Sequence, residues 1–299
     1  MTSDLLTNEK KGWEMDIADV VNFAFSFKAQ IVSIAESNFT TALAGAWGGA
    51  WAAQKSAEAD NKKRRLLDEI RSTNAAISAA FSITNTFCGI KKQHIRELRE
   101  KYDQQCKDRE DFIEKHEKGL MKNEEPFAFD ADLHSFYKVS TPIETLKTLL
   151  FEKISISGHA LGLLDALELS ILGVNELIES RNRVIDECQQ QRLDGQALAC
   201  VYFGIKDSAN RVDERYSHAV RGIADLTDDC IFLSKLLGEA LNAHGQKLKR
   251  TLGKKSPSIV NMDLSKAEGD GLIPSVENYT DWIQEPMSSE KKWWQGIFK

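Results

Sequence analysis

The chain has 299 residues, 42% of them hydrophobic and 28% charged, with a formal net charge of −6. That balance excludes a general nucleic-acid binder, which needs a clustered basic face to neutralise phosphate, and a disordered chain, which lacks the apolar residues for a core. Only 5 Pro and 18 Gly interrupt the sequence, which predicts long helices and an all-α fold.

Residues 13–37 read as an amphipathic helix, with Ile17, Val20, Val21, Phe23, Phe27, Ile31 and Ile34 among its apolar positions. Across residues 1–19, Asp4, Glu9, Glu14, Asp16 and Asp19 oppose only Lys10 and Lys11, the wrong sign for a secretory n-region.

An uncharged Ala/Gly run follows at 39–53, in which only Phe39, Leu43, Trp47 and Trp51 are large. A membrane span needs about 20 predominantly apolar residues, so the run is marginal by hydropathy. Gly45 and Gly49 lie four apart, and alanines continue the small-residue columns, a spacing that lets helix backbones approach closely in lipid. Lys55, Lys62, Lys63, Arg64 and Arg65 follow and would hold the lipid boundary, placing the rest of the chain in the cytoplasm under the positive-inside rule. The expectation is a membrane helix that also packs an oligomer. A helix lying on the membrane surface or buried in an oligomer, and a soluble core helix with small residues permitting tight crossings, are the alternatives.

From residue 57 a charged helix runs to about Lys118, its seam formed by Leu66, Ile70, Thr73, Ile77, Ala80, Thr84 and Phe87. Residues 119–137 lose the period and read as a loop. Thr141-Pro142-Ile143-Glu144 has the spacing of a capping box and opens a helix to about Leu193. Its stripe is Ile171, Val174, Ile178, Ile185 and Cys188, with Arg181 the single polar member. Asp194-Gly195 turns into the last long helix, where the repeat is cleanest. Leu198, Ile205, Val212, Ala219, Leu226 and Leu233 recur every seven residues, accompanied by Tyr202, Ala209, Tyr216, Ile223, Cys230 and Leu237. Sustained steps of four and three are the pattern of left-handed helix packing. After Leu252 the spacing of Gly, Pro and Ser predicts a flexible tail. It closes on Trp293, Trp294, Ile297 and Phe298, a cluster that docks back, touches lipid or binds a partner.

Chemistry is sparse. Five cysteines show neither a disulfide framework nor zinc-ligand spacing. The six histidines form no Glu-x-x-His or His-Glu-x-x-His unit, and Gly253-Lys254-Lys255-Ser256 lacks the upstream glycine of a phosphate loop. No catalytic, cofactor-binding or metal-binding residue is predicted.

The expected architecture is an elongated antiparallel bundle of three long coiled-coil-like helices with an N-terminal amphipathic and candidate transmembrane segment. Residues 1–54, 55–252 and 253–299 form anchor, bundle and tail. The layout resembles that of membrane-tethered bacterial proteins. The expected function is non-catalytic: a membrane-anchored bundle facing the cytoplasm, homo-oligomeric, acting through an unknown protein partner as effector or sensor, with no cofactor. A soluble cytoplasmic coiled-coil adaptor is the alternative.

Overall fold

The computed structural model describes residues 38–120, 127–156, 158–253 and 256–279, with side chains described from residue 45. The expected amphipathic helix at 13–37 and the tail cluster Trp293, Trp294, Ile297 and Phe298 lie outside the described residues. The described chain is helical, without strands; one isolated bridge joins Lys206 and Val212. It divides into two compact units, Met1–Arg64 and Arg65–Lys299.

The first helix, α1 (Asn38–Ile90), begins in the smaller unit and continues in the larger, where it leads through a π-turn (Lys91–Ile95) into α2 (Arg96–Glu117). Then come α3 (Ile143–Glu152), α4 (Gly158–Gln190), α5 (Gly195–Phe203), α6 (Arg215–Leu252), a short α7 (Ser265–Gly269) and a 3₁₀ turn (Val276–Tyr279).

The predicted seams of α1 and α4 are the buried faces. Ile70, Thr73, Ile77, Ala80, Thr84 and Phe87 are buried, as are Ile171, Val174, Ile178, Ile185 and Cys188. The two threonines fit because each hydroxyl is bonded. Thr73 donates to the Glu69 carbonyl, and Thr84 donates to the Ala80 carbonyl while lying 2.8 Å from Ser234 Oγ.

Contact register gives the chain directions. Against α6, Glu69 meets His244, Thr73 meets Gly245 and Thr84 meets Ser234, so α1 and α6 are antiparallel. Two reciprocal notches align α4 with α6. Leu226 fills the space at Gly173, and Leu177 fills the space at Gly222, again in antiparallel register. Hence α1 and α4 run the same way. The return between them is made by 127–141 and α3, which run back along α4. Asn182 brackets Phe136 through both its backbone groups, Asn175 does the same for Val139, and Lys147 pairs with Glu168 at 2.7 Å. The segment read as a loop is therefore a packed layer of the bundle.

Three expectations change at local interruptions. The capping box does not form: Pro142 occupies the N-cap position, and the buried Thr141 hydroxyl has no hydrogen-bond partner. The helix starts one residue later than the motif requires, and Asn175 anchors Val139 just ahead of it. The helix expected from 141 to 193 breaks after Glu152. There Ile154 turns into the core, and the Ser155 N–H donates to the Glu69 carboxylate instead of an intrahelical carbonyl.

The last long helix breaks too, between α5 and α6. Gly204 ends α5 in the left-handed region at φ 64°. Asp207 then organises a turn, its Oδ1 accepting the Ala209 and Arg211 N–H groups, with Asn210 at φ 59°. Of the predicted seam, Leu198 and Tyr202 lie on α5, while Ile205 and Val212 fall in the interruption, Val212 being 47% exposed. Tyr216, Ile223, Leu233 and Leu237 are buried on α6, and Leu226 packs beside Gly173.

The flexible-tail expectation also changes. Residues 256–279 form a strap laid along α1 and α6. Ile259 and Met262 fill notches at Gly245 and Gly238, and a residue with a Cβ at Gly238 would collide with Met262. Asn74 brackets the strap by donating to Ser258 O and accepting from the Val260 N–H. Tyr279 stacks on Phe232 at 3.8 Å and donates to Asp229. Between these contacts the strap is held by the π-turn and the start of α2, through Lys92 to Asp270 and Arg96 to the Asp270 and Gly271 carbonyls.

Candidate functional site

Every residue from 45 to 65 is exposed, including Trp47 at 78% and Trp51 at 59%. This stretch holds the predicted oligomer and lipid-boundary residues. Among the described residues, nothing beyond the helix's own backbone stands within 4 Å of where a Cβ would sit at Gly45, Gly48 or Gly49. Lys55 Nζ lies 4.7 Å above the Trp51 ring, a cation–π contact that organises the two side chains on one face. Lys62, Lys63, Arg64 and Arg65 are exposed. Phe39 and Leu43 precede them on the α1 backbone.

No helix among the described residues is long and apolar enough to cross a membrane. The expected span at 39–53 is therefore not supported. Its Ala, Gly and Thr residues carry little transfer energy, and α1 continues without interruption into Lys55 and the basic cluster.

A second cluster, not foreseen, is buried in the bundle. Arg181 is fully buried (0% exposed) and donates to the Asp132 and His134 carbonyls, to Asp132 Oδ1 at 3.2 Å and to the Tyr216 hydroxyl. Its guanidinium lies 4.7 Å from the Phe136 ring centre and 5.2 Å from that of Tyr216. Tyr216 donates to the Asp132 carbonyl. Burial pushes the Asp132 carboxyl upward, but the His134 N–H and the Arg181 charge outweigh it and hold the group below the usual aspartate range. Burial likewise pushes the phenols of Tyr102, Tyr202 and Tyr216 upward, so they stay neutral. The cluster ties residues 132–136 to α4 and α6. Its guanidinium is covered by rings and carbonyls. The sequence signal was the lone arginine in an apolar stripe, which demands buried acceptors that periodicity does not locate.

An open groove of about 640 Å³ separates α6 from the strap, lined by Lys235, Glu239, Asn242, Met262, Asp263 and Glu268 among others. Lys235 sits 3.4 Å from Glu268 and 3.9 Å from Glu239, whose carboxyl burial pushes upward. Asp263 accepts from both the N–H and the hydroxyl of Ser265. Among the described residues no group of three His, Cys, Asp or Glu side chains is placed to hold a metal ion, and all five cysteines are unpaired thiols.

No family model, no curated protein and no solved structure matches the chain.

Proposed function

We propose that the chain is a non-catalytic, membrane-associated helical-bundle protein, an effector or sensor that works through self-association and protein–protein contacts. Its working segment is the N-terminal part of α1. The observation that carries this reading is the exposure of residues 45–65, two tryptophans included, on a stretch otherwise built of alanine and glycine. Tryptophans left in water and small-residue columns that meet no other described residue suit a helix whose partner lies outside the chain.

The test is the size of the assembly, by sedimentation in mild detergent, for wild type and for Gly45→Leu with Gly49→Leu. Both positions are open within the chain, so helicity should be unchanged while the assembly becomes smaller. An unchanged assembly removes the small-residue interface. Alkaline-carbonate fractionation addresses membrane association separately. Recovery of the full chain in the supernatant, together with no binding to vesicles, would leave a coiled-coil adaptor as the function.

A further inference from the structure

We propose that one face of α1, carrying Trp47, Trp51, Lys55 and Lys62, seats on the headgroup layer of an anionic bilayer, with the helix lying along the surface and not through it. This rests on the membrane association proposed above and names its chemistry.

At 3.6 residues per turn, positions 47, 51, 55, 58 and 62 fall within about 80° of arc on one side of the helix. Two exposed indoles, one turn apart, open that stripe, and two lysines continue it. Indole rings favour the membrane–water interface, where an apolar ring and a polar N–H are both accommodated. Lysine suits the same depth, its apolar stem lying on hydrocarbon and its ammonium reaching phosphate. The contact of Lys55 with the Trp51 ring already places such a pair together.

Charge supports the same occupant. Residues 55–64 carry Lys55, Lys62, Lys63 and Arg64 against Glu58 and Asp60, a positive stretch in a chain of net charge −6. Glu58 is the one acid on the stripe, and it accepts a hydrogen bond from Gln54. The opposite side of the helix carries Gly45, Gly49, Ala52 and Ser56, so lipid contact and self-association would use different faces. Because no helix among the described residues is long and apolar enough to cross, a surface position is the geometry these residues favour.

The experiment is flotation of the full chain with vesicles of phosphatidylcholine alone and with phosphatidylserine added, alongside sedimentation of the same proteins. Wild type should float more strongly with the anionic vesicles. Trp47→Ala with Trp51→Ala should lose flotation on both vesicle types while keeping its assembly size and helicity. Lys55→Gln with Lys62→Gln should weaken binding by roughly an order of magnitude, on the anionic vesicles only. Full flotation of the tryptophan variant overturns this inference and leaves the membrane reading in place, with other residues responsible. A tryptophan variant that floats normally but sediments as a smaller species assigns the face to a second copy of the chain. Failure of wild type to float on either vesicle overturns the inference and the membrane reading together. Equal flotation of wild type on both vesicles removes the anionic headgroup from the proposal.

Discussion

Glycines in two parts of the molecule meet opposite surroundings. In the bundle, Gly173 faces Leu226, Gly222 faces Leu177, Gly238 faces Met262 and Gly245 faces Ile259. Each is a notch filled by a side chain from elsewhere in the same chain. In the N-terminal part of α1, Gly45, Gly48 and Gly49 meet none of the described residues beyond their own helix. The same residue type thus records a completed contact in one region and a vacant one in the other. Helix formation costs about as much per glycine in both, so the vacant notches carry that cost with no packing against other described residues to offset it.

The comparison can be broken first where the bundle is most committed. Arg181→Ala should destabilise the fold by about 3–5 kcal/mol in urea unfolding, because it leaves Asp132 and its carbonyls facing an unfilled space. A loss below about 1 kcal/mol would mean that the cluster does not bind residues 132–136 to the bundle.

Next comes one substitution made in both regions. Gly222→Leu must displace Leu177, which stands 2.5 Å from the new Cβ, and should cost about 1–3 kcal/mol. Gly45→Leu meets no neighbour and should leave stability unchanged or raise it by up to about 1 kcal/mol, through helix propensity. Equal destabilisation by the two would erase the distinction between filled and vacant notches.

Acid provides a finer probe. The Asp132 carboxyl is depressed in the folded state, so its contribution is complete above the ordinary aspartate value of about 3.9 and fades as pH falls through the folded value. Glu239 and Asp229 act oppositely. Burial raises both, so each favours the folded state more as it gains a proton. Melting temperature against pH should therefore fall less steeply below about pH 4 in Asp132→Asn than in wild type. Parallel curves would show that the carboxylate's charge is not coupled to folding.

The smallest effect on stability belongs to Trp47→Ala with Trp51→Ala. Both side chains are exposed, so urea unfolding should move by no more than about 0.5 kcal/mol. A larger loss would show that the indoles already pack within the chain.

Much of the packing was legible in periodicity alone. Ile70 to Phe87 on α1, Ile171 to Cys188 on α4 and Tyr216 to Leu237 on α6 line the core as their spacing predicts, because a helix with one apolar stripe can bury only that side. The exposed stretch was legible as an anomaly, apolar in composition yet without large side chains to drive burial. The breaks were not legible. The heptad count runs through Ile205 and Val212 unchanged, although Gly204, Asp207 and Asn210 together signal the turn that stops the helix there. Nor does periodicity report a partner that is not helical, such as the extended return along α4 or the strap.

By itself the sequence determined the all-helical class and the buried stripes of α1, α4 and α6, since these follow from local spacing and side-chain size. Only the tertiary structure decided which acceptors surround Arg181, how the chain returns between two parallel helices, and that residues 256–279 are held. Each of those depends on groups far apart in the chain, brought together by packing that no local pattern encodes.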